Sequence, residues 1–156
     1  MIKMSTLKTI YNKHREKLWY IVFGVLTTLV GWATFTGVIW AWRAAFSLPT
    51  DDNKSQLYFV GFVIAQVLHW VAAVLFAYLT NRTWVFASRA TGGAVLREAA
   101  GFFGGRVATL LFEEAVIWVF IKQLALPAMP VKLCVQVAIV ILNYLISKLI
   151  VFRKKK

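Results

Sequence analysis

The sequence predicts an all-α membrane protein of four transmembrane helices, built from a duplicated two-helix unit with both termini cytoplasmic. Three observations carry that reading. The 156 residues are 60% hydrophobic with a mean hydropathy of +0.70, whereas ordinary soluble domains are roughly 45–50% apolar. The apolar residues gather into four stretches, 18–42, 57–80, 99–121 and 131–152, each reaching the roughly 20 residues that a hydrocarbon core demands. Finally, Tyr78-Leu79-Thr80-Asn81-Arg82-Thr83-Trp84-Val85-Phe86 returns 66 residues later as Tyr144-Leu145-Ile146-Ser147-Lys148-Leu149-Ile150-Val151-Phe152. Each copy closes an apolar run, which marks the end of the second helix of a repeated pair.

Residues 1–17 form a basic segment resembling the first region of a signal peptide. The apolar run that follows, 18–42, is too long for a signal core and lacks a small-residue cleavage site, so it reads as a retained helix. Gly24, Thr27, Thr28, Gly31 and Thr34 recur along it every three or four residues, a small-residue stripe suited to close helix contact in lipid. The connection 43–56 holds Pro49 and the polar run 50–55, a solvated loop. In the second span Gln66 and His69 share a helix face. Two readings stand for them: a proton shuttle, or an interhelical hydrogen bond.

The next connection is broken by Gly92-Gly93, and residues 94–105 fit an interfacial helix that turns into the third span. That span repeats a small-residue face through Gly101, Gly105 and Ala108. A short connection with Pro127 and Pro130 reads as a tight turn into the fourth span, and 153–156 is a basic tail. Tyr78, Tyr144, Trp84, Phe86 and Phe152 form an aromatic belt at the cytoplasmic ends.

The formal net charge is +12, yet the cations flank apolar spans rather than cover a surface, which speaks for membrane topology and against nucleic acid. Fourteen fall in the N-terminus, the second connection and the C-terminus, against four (Arg43, Lys54, Lys122 and Lys132) in the other two connections. The positive-inside rule then puts both termini in the cytoplasm. The single Cys134 excludes an internal disulfide and a cysteine metal cluster.

The sequence carries no His-Glu-x-x-His, no phosphate loop and no nucleophile elbow. Asp51-Asp52 imitates a metal-binding acidic pair, but no accompanying sugar-acceptor domain is available. The expectation is a protein that is not an enzyme and uses no metal or cofactor.

Candidate site residues fall in two sets. Arg106, Glu113 and Glu114 interrupt an apolar helix, where charge is costly and turns toward a bundle interior or water. Arg106 and Glu113 are seven apart, about 10 Å along the axis, so they either line a polar path or form an ion pair that holds the bundle. Arg82 and Lys148, in the repeated motif, either hold a lipid phosphate, for which the Arg fork is the better match, or anchor the helix by snorkelling. Asn81 and Ser147 occupy matching positions, and Asn143 lies one turn before Ser147. These polar groups serve a phosphate or a sugar hydroxyl, or an interhelical hydrogen bond worth about 0.6 kcal/mol.

The chain resembles the GtrA-like family, and within it the GtcA-type group, over roughly residues 10 to 153. The resemblance rests on His14-Arg15-Glu16 leading into Phe23-Gly24-x-x-Thr27-Thr28; on Ala77-Tyr78-x-x-Asn81-Arg82-x-Trp84-Val85-Phe86; on Arg106 with Glu113 or Glu114; and on Asn143-Tyr144-x-x-Ser147-Lys148-x-x-Val151-Phe152. Gly31 departs from the Asn that many GtcA-type members carry.

The resemblance implies a multi-pass protein of the bacterial plasma membrane. It would flip a polyprenyl-phosphate-linked sugar, or its carrier lipid, for glycosylation of a surface polysaccharide or teichoic acid. A polyprenyl-phosphate glycosyltransferase would be its partner, and a homo-oligomer would deepen its groove. Under that reading Arg82, Arg106, Lys148 and Asn81 bind the lipid phosphate, while Glu113, Glu114, Asn143 and Ser147 form an intramembrane polar path. The alternative is a non-transporting accessory subunit that docks or stabilises the glycosyltransferase. A proton-coupled exporter of cationic drugs would want a lone membrane acid, and Arg106 two turns away argues against it.

Overall fold

A computed structural model describes residues 4–153, with side chains from His14 onward. The described residues form four helices and no strand: α1 (Met4–Ala45), α2 (Gln56–Thr80), α3 (Gly93–Ile117) and α4 (Ala128–Ile146). Helices α2, α3 and α4 each continue into a π-helical turn, at Asn81–Val85, Trp118–Gln123 and Ser147–Val151. The chain divides into two units, Met1–Val85 and Phe86–Lys156, and each is a helical hairpin.

In the first hairpin the contact face of α1 follows the small residues only in part. Gly31 meets α2, since a Cβ there would stand 2.7 Å from His69 Cε1. Gly24 meets nothing within 4 Å and Thr28 is exposed, so these two members of the expected stripe lie outside the contact. Further along, Trp42 lies flat on Gly61, where a Cβ would come 2.4 Å from its Cδ1. Its indole Nε1 donates to Leu57 O at 3.0 Å. Phe35 packs edge-on against Phe62 and His69. The hydroxyls of Thr27 and Thr34 donate to the carbonyls of Phe23 and Val30, four residues back, which satisfies them without water.

The turn between α1 and α2 ends at a capped helix. Ser55 is extended, and its Oγ accepts from Tyr58 N at 3.0 Å, meeting one of the orphan donors that open a helix.

The second hairpin begins at Gly92, whose φ of 57° belongs to the left-handed region that glycine adopts without steric cost. Helix α3 starts at Gly93 and runs without a break from the segment 94–105, read as an interfacial start, into the third apolar stretch. Gly105 receives Ile146 of α4 (2.8 Å to a built Cβ) and Gly101 sits against Val151 (3.6 Å). Phe86 stacks on Phe152 at 4.9 Å, and Phe102 closes the cluster 6.1 Å from Phe152.

This arrangement corrects the aromatic-belt expectation. Tyr78, Phe86 and Phe152 are buried, and among the residues of that belt Trp84 is the large exposed one, at 54%. The repeated motif thus supplies core aromatics more than interfacial anchors.

Three helical stretches are long and apolar enough to cross a membrane: His14–Ala45, Gln56–Val85 and Ala128–Val151. The expected span at 99–121 lies within the helical run 93–123 but is not among them. Arg97, Glu98, Arg106, Glu113 and Glu114 within α3 are the reason. The described chain is thus three apolar helices and a fourth with charges embedded in it.

Gly61→Ala inserts a methyl into the Trp42 indole, and overpacking of this kind costs about 1–3 kcal/mol. At Gly37 a Cβ meets nothing within 4 Å, and Ala gains up to about 1 kcal/mol of helix propensity over Gly. Thermal unfolding in mild detergent is expected to show a lowered midpoint for Gly61→Ala and an unchanged or raised one for Gly37→Ala.

Candidate functional site

Helix geometry puts Phe102, Arg106, Thr109, Glu113 and Val116 on one stripe of α3, since offsets of four and three return to the same face. Burial follows that stripe: Phe102 and Thr109 are buried, and Arg106, Glu113 and Val116 are half-buried. Glu114, one residue off it, is exposed. The two acids assigned to one polar path therefore separate, and only Glu113 shares the packed face with Arg106.

Across from this stripe stand Asn143 and Ser147, one turn apart on α4 and both buried, at 8% and 3% exposure. Asn143 Oδ1 lies 3.0 Å from the Thr109 hydroxyl, which is also 3.1 Å from the carbonyl oxygens of Gly105 and Arg106. One proton serves three acceptors, so the Thr109–Asn143 contact is a shared and exchangeable bond. Sequence reasoning missed Thr109. Its signal was its place three residues after Arg106 and four before Glu113, on the face those charges define.

The expected Arg106–Glu113 ion pair is not formed. The Arg106 guanidinium lies over the Phe102 ring, 4.8 Å from its centroid, because helical side chains lean toward the N-terminus and onto the preceding turn. Within the second hairpin's described residues no hydrogen bond or ion pair involves the Glu113 or Glu114 carboxylate. Lys148 is exposed, with its ammonium 3.0 Å from Tyr144 Oη and over the Tyr144 ring.

In the first hairpin Asn81 is 3% exposed and opens the π-helical turn that ends α2. Its amide nitrogen donates to Ala77 O at 2.7 Å, four residues back, while its Oδ1 is buried without a hydrogen-bond partner. The atom left over is an acceptor, which suits a hydroxyl donor better than a phosphate oxygen. Arg82 follows it, half-buried. His69, pressed against Gly31, also keeps a buried ring nitrogen, Nδ1, without a hydrogen-bond partner, and Gln66 one turn earlier is exposed. The interhelical hydrogen bond expected of these two is therefore not made through His69 Nδ1.

The matched positions Asn81 and Ser147 each open a π-helical turn. Such turns interrupt the regular backbone ladder and are frequent at functional sites. Among the described residues no group of three His, Cys, Asp or Glu is placed to hold a metal ion. Asp52 Oδ1 instead accepts from Lys54 N and Ser55 N at 3.2 and 3.0 Å. Its hydrogen bonds to Ser55 hold its carboxyl below the ordinary carboxylate range.

An apolar helical hairpin pair, with ionisable and amide groups gathered on packed faces, defines a polytopic membrane protein. The chain belongs to the GtrA/DPMS transmembrane-domain family, which matches residues 19–152. It is 34% identical over 140 residues to the cell wall teichoic acid glycosylation protein GtcA of Listeria monocytogenes, covering 89% of this chain and 86% of that protein. The GtcA protein of Listeria innocua matches to the same extent. A membrane protein of Bacillus subtilis, YwcD, is 30% identical over 138 residues, covering 88% of this chain and 96% of that one. No solved structure matches the chain. Family, apolar helices and bacterial relatives together make this a multi-pass protein of the bacterial plasma membrane.

A double-mutant cycle on Thr109→Val and Asn143→Leu, read by unfolding in mild detergent, is expected to give a coupling of about 0.6 kcal/mol, the average for hydrogen bonds between membrane helices.

Proposed function

We propose that this protein flips a polyprenyl-phosphate-linked sugar, or its carrier lipid, across the plasma membrane for glycosylation of a cell-wall polymer. The observation that carries the reading is the polar stripe Arg106, Thr109 and Glu113, packed toward Asn143 and Ser147 in an otherwise apolar hairpin. A polyprenyl tail stays in lipid while only phosphate and sugar cross, so a polar groove on a helix face suffices and no closed pore is needed. Named relatives that act in teichoic acid glycosylation support the substrate class.

In this reading α3 is the fourth crossing, tolerated because Arg106 and Glu113 lie on the half-buried face that packs toward α4. Both termini lie in the cytoplasm, following the charge distribution. In the second hairpin Lys148, at the end of α4, collects the phosphate from the cytoplasmic leaflet and Arg106 receives it at depth; in the first, Arg82 at the end of α2 is a phosphate-binding cation in its own right. The Asn81 carbonyl accepts from a sugar hydroxyl. Thr109, Asn143, Ser147 and Glu113 exchange hydrogen bonds with the head group as it passes, which the three-way Thr109 bond makes inexpensive. The repeated motif and its matched π-helical turns support an internal duplication, a common construction in small transporters. Nothing in this mechanism makes or breaks a covalent bond, so no catalytic role is assigned.

The exposed Glu114 favours a second element of the reading. An acid on the outer face of a membrane helix needs a partner, and a glycosyltransferase subunit or another copy of this chain would supply one. If that docking were the whole function, the protein would be an accessory subunit that transports nothing.

The test is translocation of a labelled polyprenyl-phosphate sugar in proteoliposomes that hold only this protein. Arg106→Ala and Glu113→Ala are expected to slow flipping by roughly tenfold or more, the scale of losing a charge-assisted hydrogen bond. Glu114→Ala is expected to flip like the parent protein. Absence of flipping by the folded parent protein would leave the accessory reading in its place.

A further inference from the structure

The loop end of the first hairpin, which the flipping reading does not use, holds a cavity of about 510 Å³ beside the start of α2. Its chemistry is divided. Its lining combines the polar Asn53, Lys54, Ser55 and Gln56 with the aromatic Tyr58, Phe59 and Phe62. Phe59 and Phe62 are 62% and 39% exposed, and the Tyr58 and Phe62 rings stand 6.4 Å apart, so they form an open aromatic shelf.

The polar wall is fixed before any ligand arrives. Arg43 donates to Pro49 O, to Asp52 O at 3.0 Å and to Asn53 Oδ1 at 3.0 Å. Its guanidinium also covers the Tyr58 ring at 4.8 Å. The Asp52 carboxylate is tied to the backbone of Lys54 and Ser55. With Arg43 and Asp52 committed to the loop, the Lys54 ammonium remains exposed with no partner among the described residues.

We propose that this cavity binds a sugar phosphate. Lys54 holds the phosphate as a point charge. Asn53 and Gln56 bond sugar hydroxyls, and the aromatic shelf covers the apolar face of the pyranose. The ligand class rests on the flipping reading only in identifying the sugar phosphate as part of a lipid. The cavity's own division into cation, amides and aromatic shelf selects a sugar phosphate from either source.

The full chain in phosphatidylcholine nanodiscs is titrated with a panel of hexose 1-phosphates, the free hexoses, inorganic phosphate, and one hexose 1-phosphate esterified to a short isoprenyl chain. Binding is read by saturation-transfer NMR. A hexose 1-phosphate is expected to bind, with Lys54→Gln weakening it by about tenfold and Phe59→Ala weakening it while leaving inorganic phosphate unaffected. Both side chains are exposed, so both variants keep the fold. Tighter binding of the isoprenyl ester assigns the lipid-linked source, and equal binding assigns the free sugar phosphate; either supports the site. Binding of no panel member, binding unchanged in both variants, or inorganic phosphate bound as well as every sugar phosphate would overturn it. Because binding from solution requires no transport, a parent protein that binds without flipping refutes the flipping reading alone. A protein that flips but binds identically in both variants refutes this site alone.

Discussion

Hydrocarbon offers no hydrogen bonds, and every polar group at membrane depth must find its partner within the protein. That constraint organises both hairpins. Along α1 the threonines return their hydroxyl protons to carbonyls four residues back, so a helix with several polar side chains behaves as an apolar one. Along α3 the same constraint acts on charge. Arg106 lies over Phe102, and Thr109 reaches Asn143. Glu113 shares their face, and Glu114 is the exception that calls for something outside the hairpin.

The two hairpins meet this constraint by different packing. In the first, glycines accept large rings: Gly31 takes His69, and Gly61 takes Trp42. The backbone contact is close and the polar content small, apart from two buried atoms, His69 Nδ1 and Asn81 Oδ1, without hydrogen-bond partners. In the second, an amide and a hydroxyl join the helices while Gly105 admits Ile146. A bond shared among three acceptors holds the helices together without fixing one partner, which is the property the proposed passage of a head group would use.

Much of this was legible in the sequence because hydropathy and periodicity report what hydrocarbon demands. The apolar cores of the helices follow from residue type and spacing, and the family from the resemblance of the quoted motifs. What was not legible depends on a neighbour's position. Hydropathy gave no sign that α1 begins at Met4, because its first turns are polar and their helicity is local. Spacing put Glu113 on the face of Arg106, but that this face meets α4 and that Glu114 is exposed needed the fold. The aromatic belt was misread because a ring near a helix end reads alike whether it meets water or, like Phe152, stacks on Phe86. The π-helical turns at Asn81 and Ser147 leave no mark in composition, although the repeated motif located both.

The proposed function rests on α3 crossing the membrane with one polar face along which a head group can pass. It can be tested by placing single cysteines from position 103 to 116 in a Cys134→Ser background and labelling intact cells with a membrane-impermeant maleimide. The account predicts reactivity that peaks at 106, 109 and 113, falls at 107, 110 and 111, and is blocked by added lipid-linked sugar. Reactivity that falls smoothly with depth, or peaks on the face of Leu110 and Leu111, would contradict it.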